Sequence, residues 1–420
     1  MHIIESISIK GFWGTHSVNV RVFEDYNFII GPNGSGKSTA LKLMAGVLLA
    51  DKEYLASLDF DYIKVGLKEP GSRKKPYIEV TKRSGVPFFH CDYKIFLSAG
   101  EKPYSYELSD VDGYESLFKK TFHLRAGIAG KEMAARTVES HLSELVSLTW
   151  LSVERVIKLD PSTGSDPIDM RLEDFSNRLV RYLSSLNKKV NQLNERFQEQ
   201  VFLSLLVKPK EGLSLIPSLS KLESDKKALL QIFSEFNVEK NTYVNKVQEH
   251  LGAVKELEKK LAKKETLDAH DAVSLFSLSR IERTVSFWEE VDSKKKKLLE
   301  SKNQFIEMLN GLMQRKTLWL NERNEIVIET TSGKRLRTTQ LSSGEKQILI
   351  ILGEALLQDG QTYIYMADEP EISLHVAWQE SLAKNIKKLN PAAQIIFATH
   401  SPDVVGPSQA SLIRMEHCIE

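Results

Sequence analysis

The sequence predicts an α/β protein with a largely parallel sheet, an antiparallel β piece and an inserted helical, coiled-coil domain. Short apolar runs alternate with helical patterns near both ends of the 420 residues, which is typical of strands covered by helices. A Gly-rich turn joins one such run to a helix. The middle of the chain has helical periodicity, many charges and little Pro or Gly. We therefore expect an N-terminal lobe, a helical insertion and a C-terminal lobe, at residues 1–165, 166–316 and 317–420.

In the N-terminal lobe, an apolar strand followed by the Gly-rich turn and a helix is the central unit. Tyr26–Ile30 is a compact apolar run that predicts a buried strand, and Ser38–Leu49 has helical spacing. Other segments with β patterns are residues 3–9, His16–Val22, Asp61–Leu67, Tyr77–Thr81, Pro87–Leu97 and Thr149–Val156.

The predicted insertion follows a turn-rich segment at residues 160–167. Its best apolar seam consists of Leu251, Val254, Leu257 and Leu261, which predicts an antiparallel coiled-coil hairpin with additional helices. The basic run Lys294–Lys297 indicates a solvated helix face, with a contact to nucleic acid or a partner as the alternative.

The C-terminal lobe returns to β patterns and then alternates strands with helices. The predicted elements are a hairpin of Glu325–Glu329 and Lys334–Thr338, a helix Ser343–Leu357, a strand Tyr363–Ala367, a helix Val376–Leu389 and a strand Gln394–Thr399.

Composition excludes several classes of protein. Hydrophobic residues make up 41% and charged residues 27%, so the chain is neither wholly disordered nor collagenous. The net charge of +1 argues against a globally basic nucleic-acid binder and leaves a local basic patch open. Cys91 and Cys418 form no CxxC pair, so we expect no disulfide framework, no zinc module and a cytoplasmic location.

No targeting or membrane segment is expected. The N-terminus lacks the basic and long apolar regions of a signal peptide. The longest aliphatic run is Ile348–Leu352, far short of the roughly 18 residues that a membrane span needs. We therefore expect no membrane association without a partner.

The Gly-rich turn matches the phosphate-binding pattern G-x-x-x-x-G-K-[ST]. Its glycines let backbone N–H groups surround phosphates, and the following helix adds positive potential. Lys37 can reach the β- and γ-phosphates, and Ser38 can offer a hydroxyl to Mg²⁺. The predicted nucleotide-binding residues here are Gly31, Pro32, Asn33, Gly34, Ser35, Gly36, Lys37, Ser38 and Thr39.

Two acids follow the predicted strand Tyr363–Ala367. In an open α/β sheet the carboxyl end of a strand is where ligands bind. We expect Asp368 to hold Mg²⁺ and Glu369 to act as the general base toward the attacking water. His400 follows another predicted buried strand, and we expect it to sense the γ-phosphate.

The segment QLSSGEKQ, residues 340–347, precedes a helix and on its own indicates an N-cap. Its Gly344 lies 24 residues before Asp368. In this order, the four motifs resemble those of the ATP-binding-cassette (ABC) ATPase family, and more narrowly its soluble SMC-like and RecF-like branch. LSSGEKQ stands where that family has its LSGGQ signature. DEPEISLH resembles a segment of the RecF-like and overcoming-lysogenization-defect-type ATPases.

The resemblance implies an ABC-type ATPase head that uses ATP and Mg²⁺. Such heads pair, and each ATP on one P-loop is capped by the signature of the partner. Ser342, Ser343 and Gly344 would then bind nucleotide in trans, while Glu369 and His400 would act in cis. The helical insertion would relay the opening and closing of the heads.

The sequence departs from the family at several positions. No Gln occurs between residues 40 and 191, so the Q-loop glutamine is missing, and Glu154 or Arg155 stands in that region. Ser343 and Glu345 replace a Gly and a Gln of the signature, while His375 and Val376 replace an Asp and a Pro of the D-loop. Trp13 is expected in the core, with a place beside adenine as the alternative.

The opening segment also resembles the ATPase subunits of bacterial antiphage systems such as PARIS and Septu. This implies a sensor and scaffold that controls a separate toxic effector nuclease, responds to a phage-encoded trigger protein and assembles as a head-to-head dimer or a hexamer of three dimers. About 20 residues follow His400 and no His-Asn-His pattern occurs, so we expect no fused TOPRIM or His-Asn-His nuclease and a separate effector protein.

Two other functions stay open at this stage. A RecF-like or SMC-like repair ATPase would bind duplex DNA across paired heads. The nucleotide-binding subunit of a transporter is less compatible with an insertion of about 150 residues between the P-loop and the signature. DNA-stimulated, salt-dependent ATPase activity would favour the repair ATPase.

Overall fold

The computed structural model describes residues 1–72, 74–83, 89–98, 100–109, 137–151, 166–206, 219–263, 265–266, 268–406 and 411–420. They form two compact units: residues Met1–Val180 with Gln304–Glu420, and residues Arg181–Asn303. The turn-rich segment at the first predicted boundary lies mostly outside the described residues. The predicted domain limits therefore stay predictions.

The elements are numbered along the chain. The strands are β1 (Ile3–Phe12), β2 (His16–Arg21), β3 (Tyr26–Ile30), β4 (Tyr62–Lys68), β5 (Tyr77–Lys82), β6 (His90–Phe96), β7 (Tyr104–Ser109), β8 (Leu148–Leu151), β9 (Lys316–Leu320), β10 (Ile326–Thr330), β11 (Arg335–Leu336), β12 (Tyr363–Asp368), β13 (Ala393–Ala398) and β14 (Leu412–Arg414). The helices are α1 (Lys37–Leu49), α2 (Lys52–Ser57), α3 (Val138–Leu145), α4 (Pro167–Leu206), α5 (Leu219–Glu235), α6 (Lys240–Ala262), α7 (Ala269–Leu312), α8 (Ser343–Leu357), α9 (Val376–Leu389) and α10 (Pro402–Val405).

A parallel sheet with the order β14–β3–β13–β12–β8 places the predicted site. Strand β3 lies between two strands from the C-terminal end of the chain, and Asp368 is level with Ala398 of β13. The carboxyl ends of β3, β12 and β13 therefore meet at one edge, where α1 also begins. Residues 152–156 of the predicted strand Thr149–Val156 lie outside the described residues.

Two antiparallel sheets complete the first unit. One has the order β2–β1–β4–β5–β6–β7, and the other is β11–β10–β9, which contains the predicted hairpin. Apolar residues of the six-stranded sheet, of α1 and of the parallel sheet form one shared core. Residues Val18 and Ile419 form a bridge, and Ser17 exchanges two backbone hydrogen bonds with Glu420, so the last residues line the β2 edge. The α/β class with a parallel sheet and antiparallel β pieces is confirmed.

The second unit is helical, as predicted for the insertion. Its apolar core includes Phe197, Ile232, Val247 and Trp288. Along the predicted seam of α6, Val254 is 2% exposed and Leu257 is 3% exposed, and Leu251 packs against Val254. Coiled-coil geometry stays a prediction.

The basic run in α7 is largely the solvated face that the sequence predicts, because Lys294, Lys296 and Lys297 are exposed and Lys295 is the exception. Lys294 and Lys296 each pair with an acid one turn earlier. Lys295 is buried, with Nζ 4.6 Å from the centroid of the Trp288 ring, and it pairs with Glu235.

Within the described ranges, none of the helices is both long and apolar enough to cross a bilayer.

Candidate active site

The P-loop connects β3 to α1 through residues in unusual backbone conformations. Gly36 precedes α1 in the left-handed region, with φ of 87°. A Cβ atom at this position would lie 2.9 Å from the ring of Phe12, so both the conformation and the space require glycine. Within the described residues no side chain caps this end of α1, which leaves its N–H groups available to an anion.

Lys37 is folded back onto the loop that it follows. Its side chain is buried, and Nζ donates hydrogen bonds to the carbonyl oxygens of Gly31, at 2.9 Å, and Pro32, at 3.0 Å. Burial lowers the pKa of the ammonium group, while the carboxylates of Glu369 and Asp368 counteract this change. The cation therefore faces both the phosphate loop and the acidic pair.

A direct hydrogen bond joins the P-loop to the acidic strand. Ser38 Oγ donates to Asp368 Oδ1 at 2.9 Å, although 330 residues separate them. A hydroxyl and a carboxylate are hard oxygen ligands of the kind that Mg²⁺ prefers. The residues present thus fit the magnesium site predicted from Ser38 and Asp368, whose occupancy stays a prediction.

Glu369 has a strained backbone, with φ of 47°. Its N–H donates to the carbonyl oxygen of Ala398 at 2.8 Å, which ties the turn after β12 to β13. Its Oε1 lies 3.9 Å from Nε2 of His400, and both side chains are 38% exposed. The two groups are accessible to water and near enough to share one.

The signature segment has contacts of its own. Ser342 caps α8 by accepting from the N–H of Glu345 at 3.3 Å, and Glu345 Oε2 accepts from the N–H of Ser342 at 2.9 Å. The predicted N-cap is therefore confirmed. A Cβ atom on Gly344 would lie 2.3 Å from the carbonyl oxygen of Ser373. Ser342 thus bonds to a residue of α8, and Gly344 packs against the turn after β12. Both contacts are within the same chain.

The sequence matches, over residues 26–406, the family described as "AAA domain, putative AbiEii toxin, Type IV TA system". The chain belongs to this AAA-domain family. The match spans β3 with its P-loop, both acids and His400.

Solved structures of Smc heads also align with this AAA-domain chain. A Smc head domain with an extended coiled coil bound to the C-terminal domain of ScpA, from Pyrococcus furiosus, has 16% identity and a TM-score of 0.44, covering 96% of this chain and 91% of that chain. A Smc head domain with a coiled coil and joint, from Pyrococcus yayanosii, has 16% identity and a TM-score of 0.41, with 96% and 93% covered.

Glu345 of this AAA-domain protein pairs with a lysine that precedes it by 29 residues. Lys316 Nζ lies 2.6 Å from Glu345 Oε1 and 2.7 Å from Oε2. Burial would raise the pKa of this carboxyl, but the bonds from Lys316 and Ser342 outweigh burial and lower it. The residue that replaces the signature glutamine is therefore engaged in its own helix cap and an ion pair.

The D-loop substitution His375 has a structural contact. Its Nδ1 accepts from the N–H of Ala377 at 3.3 Å and caps α9. Val376, which follows it, is 51% exposed. The predicted Q-loop replacements Glu154 and Arg155 lie outside the described residues.

Trp13 corrects one expectation from the sequence. It is 43% exposed, so it is not a core residue of this AAA-domain protein. It follows β1 at a left-handed φ of 53° and packs on Phe12, with ring centroids 4.6 Å apart. Its Cη2 atom would be 3.1 Å from a Cβ atom on Gly36. The indole therefore lies at the rim of the P-loop, and the alternative place beside adenine stays a prediction.

Sequence reasoning missed two residues beside the site. The first is Gln347, which lines a cavity of about 210 Å³ with Asp368 and the predicted Ser343 and is visible in the sequence only as the end of LSSGEKQ. The second is Glu371, which accepts hydrogen bonds from the segment that carries His400. Its sequence signal is the second glutamate of DEPE.

Proposed function

We propose that this protein binds ATP with Mg²⁺ and hydrolyses the γ-phosphate. The observation that carries the proposal is the Ser38 Oγ to Asp368 Oδ1 hydrogen bond of 2.9 Å, which brings the P-loop and the acidic strand together. Lys37 and Glu369 lie beside this pair. Membership in the AAA-domain family supports nucleotide use.

Binding would exchange contacts that Lys37 makes within its own loop. Its ammonium group donates to two loop carbonyls, and phosphate oxygens would accept these hydrogen bonds instead. The uncapped N-terminus of α1 would add favourable dipole interactions. Ser38 and Asp368 would hold Mg²⁺, which neutralises charge on the β- and γ-phosphates.

Glu369 is the proposed general base. Its carboxylate would accept a proton from the water that attacks the γ-phosphorus, because it is exposed at the edge of the sheet and close to Lys37. His400 would donate a hydrogen bond toward the phosphoryl oxygens from the end of the neighbouring strand β13.

The signature would act on the nucleotide of a second copy. Ser342, Ser343 and Gly344 begin α8, and the resemblance to ABC-type heads supports a role in trans. The active form is then a head-to-head dimer, and three such dimers would form a hexamer. ATP would close the heads and hydrolysis would open them.

The catalytic proposal is tested by steady-state ATPase assays with nucleotide-binding measurements. We expect Lys37→Ala to lose ATP binding, and Glu369→Gln to bind ATP with kcat lowered by about 10²–10³-fold. Glu380→Gln is a matched control, because Glu380 is exposed on α9. Unchanged ATP affinity in Lys37→Ala would contradict the P-loop assignment, and normal turnover in Glu369→Gln would remove Glu369 as the base.

We further propose that the ATPase is the sensor and scaffold of an antiphage complex that controls a separate toxic nuclease, of the kind represented by AriA of PARIS and PtuA of Septu. The family description, which names a toxin and a toxin–antitoxin system, supports this role. A phage-encoded protein would be the trigger. Repair of duplex DNA is the alternative, and the pairing of three lysines in the basic run with acids counts against it.

Affinity capture of Glu369→Gln from the native host, read by mass spectrometry, tests this role. The ATP-bound state should hold its partner longest, so a stoichiometric effector that survives nuclease treatment is the expected result. The Lys37→Ala variant is the control and should recover less of it. Recovery of DNA, or of repair proteins that nuclease treatment removes, would favour genome maintenance instead.

A further inference from the structure

Glu371 accepts three hydrogen bonds through one oxygen. Its Oε1 atom accepts from Thr399 Oγ1 at 2.6 Å, from the N–H of His400 at 2.9 Å and from the N–H of Ser401 at 3.2 Å. Glu371 follows Glu369 by two residues in the turn after β12. One carboxylate oxygen therefore accepts from three successive residues after β13, from the side chain of Thr399 and from the backbone of His400 and Ser401.

The segment that Glu371 holds is fixed from its other side as well. Ser401 Oγ donates to Gln379 Oε1 at 2.7 Å and accepts from the N–H of Asp403 at 3.2 Å. Gln379 Nε2 in turn donates to the carbonyl oxygen of Leu374 at 2.9 Å. The turns after β12 and β13 thus form one network with the first turns of α9 and α10.

The second carboxylate oxygen of Glu371 is in an unusual environment. Its Oε2 atom is buried and, among the described residues, has no hydrogen-bond partner. A buried acceptor without a partner is unfavourable, and such groups in folded proteins call for an explanation. Hydrogen bonds from backbone N–H groups to a carboxylate are stronger than those to a neutral acceptor.

We propose that Glu371 is a positioning residue for His400. By accepting from the Thr399 hydroxyl and from the N–H groups of His400 and Ser401, it holds the imidazole beside Glu369, where Nε2 and Oε1 are 3.9 Å apart. Since Glu369 and Glu371 belong to the same turn, any movement of this turn displaces both groups. This inference rests on the proposed ATP hydrolysis, and a displacement of a catalytic group by about 1 Å can cost as much as about 100-fold in rate.

A mutant cycle on the full chain tests the inference. Glu371→Ala is expected to lower kcat about tenfold while KM for ATP stays within about twofold, because the P-loop contacts are unchanged. Combined with His400→Ala, it should cause no further loss, since Glu371 acts through His400. Glu380→Ala is the control for loss of a nearby carboxylate and should leave both constants unchanged.

Two conservative variants separate charge from position. Glu371→Gln should keep most of the activity, because the three donors share one oxygen that an amide also offers. Glu371→Asp keeps the charge but withdraws that oxygen by one methylene, so it should lose activity like Glu371→Ala. If Glu371→Ala does not fold, Glu371→Asp takes its place in the double-mutant cycle with His400→Ala.

The outcomes distinguish this inference from the function on which it rests. A wild-type protein without ATPase activity would contradict the proposed function itself. An active wild type with additive losses in the double variant, or a rise of KM that accounts for the loss in Glu371→Ala, would overturn the positioning role alone. A Glu371→Gln variant as slow as Glu371→Ala would also overturn it.

Discussion

Left-handed backbone conformations occur at several residues of the candidate site. Trp13, Glu369 and Ser373 have φ of 53°, 47° and 66°, although none is glycine. Such conformations are unfavourable by roughly 1–3 kcal/mol each and persist where the surrounding structure enforces them. Here they place an aromatic ring at the P-loop, the proposed base at the sheet edge, and a carbonyl against the signature.

Trp13 leads to a prediction about nucleotide affinity. A ring at the rim of the P-loop can stack on adenine, and base–aromatic stacking contributes about 1–3 kcal/mol. We expect Trp13→Ala to raise the Kd for ATP by about 5- to 150-fold and Trp13→Phe to raise it less, as measured by calorimetry. Phe23, which is 47% exposed, gives the matched control Phe23→Ala. Equal Kd values for Trp13→Ala and this control would place the adenine elsewhere.

At the level of elements, α8 connects the signature to the segments that lead into the helical unit. Asp169 and Arg178 belong to the first turns of α4, and Lys316 begins the strand after α7. The helix is held by three ion pairs: Lys316–Glu345, Asp169–Lys346 and Arg178–Glu354. A displacement of α8 would therefore act on both of these segments.

The N-terminus of α8 also packs closely on the turn after β12. This packing predicts that adding one methyl group at Gly344 lowers stability. Gly344→Ala would bring Cβ within 2.3 Å of the Ser373 carbonyl oxygen, so we expect a loss of about 1–3 kcal/mol in unfolding free energy. Gly311→Ala is the control, because it lies in α7 with open space around it and should be neutral or stabilising by up to about 1 kcal/mol. Chemical denaturation measures both, and equal stabilities would contradict the close contact.

At the scale of the whole molecule, the features that the sequence predicts are those set by residues close together in the chain. The fold class, the helix Ser343–Leu357 and the helix Val376–Leu389 agree with the structure. The P-loop and the two acids are motifs of consecutive residues at strand ends, so their place at one sheet edge follows from chain order and parallel pairing. The catalytic and binding roles of these residues stay predictions.

Features set by distant contacts were not accessible from the sequence. The role of Glu371 depends on donors 28–30 residues away. Strand β9 is not among the elements predicted from the sequence, and its five residues pair with the later strand β10. Exposure of Trp13 depends on the strained turn after β1 and on the packing of Phe12. Tertiary structure decided each of these.

The position of β3 between β13 and β14 has a consequence for biosynthesis. Tyr26 of β3 pairs with Ile395 of β13. The strand before the P-loop can therefore pair only after its partner, 369 residues later in the chain, has been synthesised. At about 5–20 residues per second, that interval is roughly 20–70 s on the ribosome. During this time the apolar face of β3 needs protection, and closure of the parallel sheet across such a sequence separation is intrinsically slow. A translation product that ends before residue 393 lacks both partners of β3, so the strand before the P-loop cannot join the parallel sheet until β13 and β14 have been made.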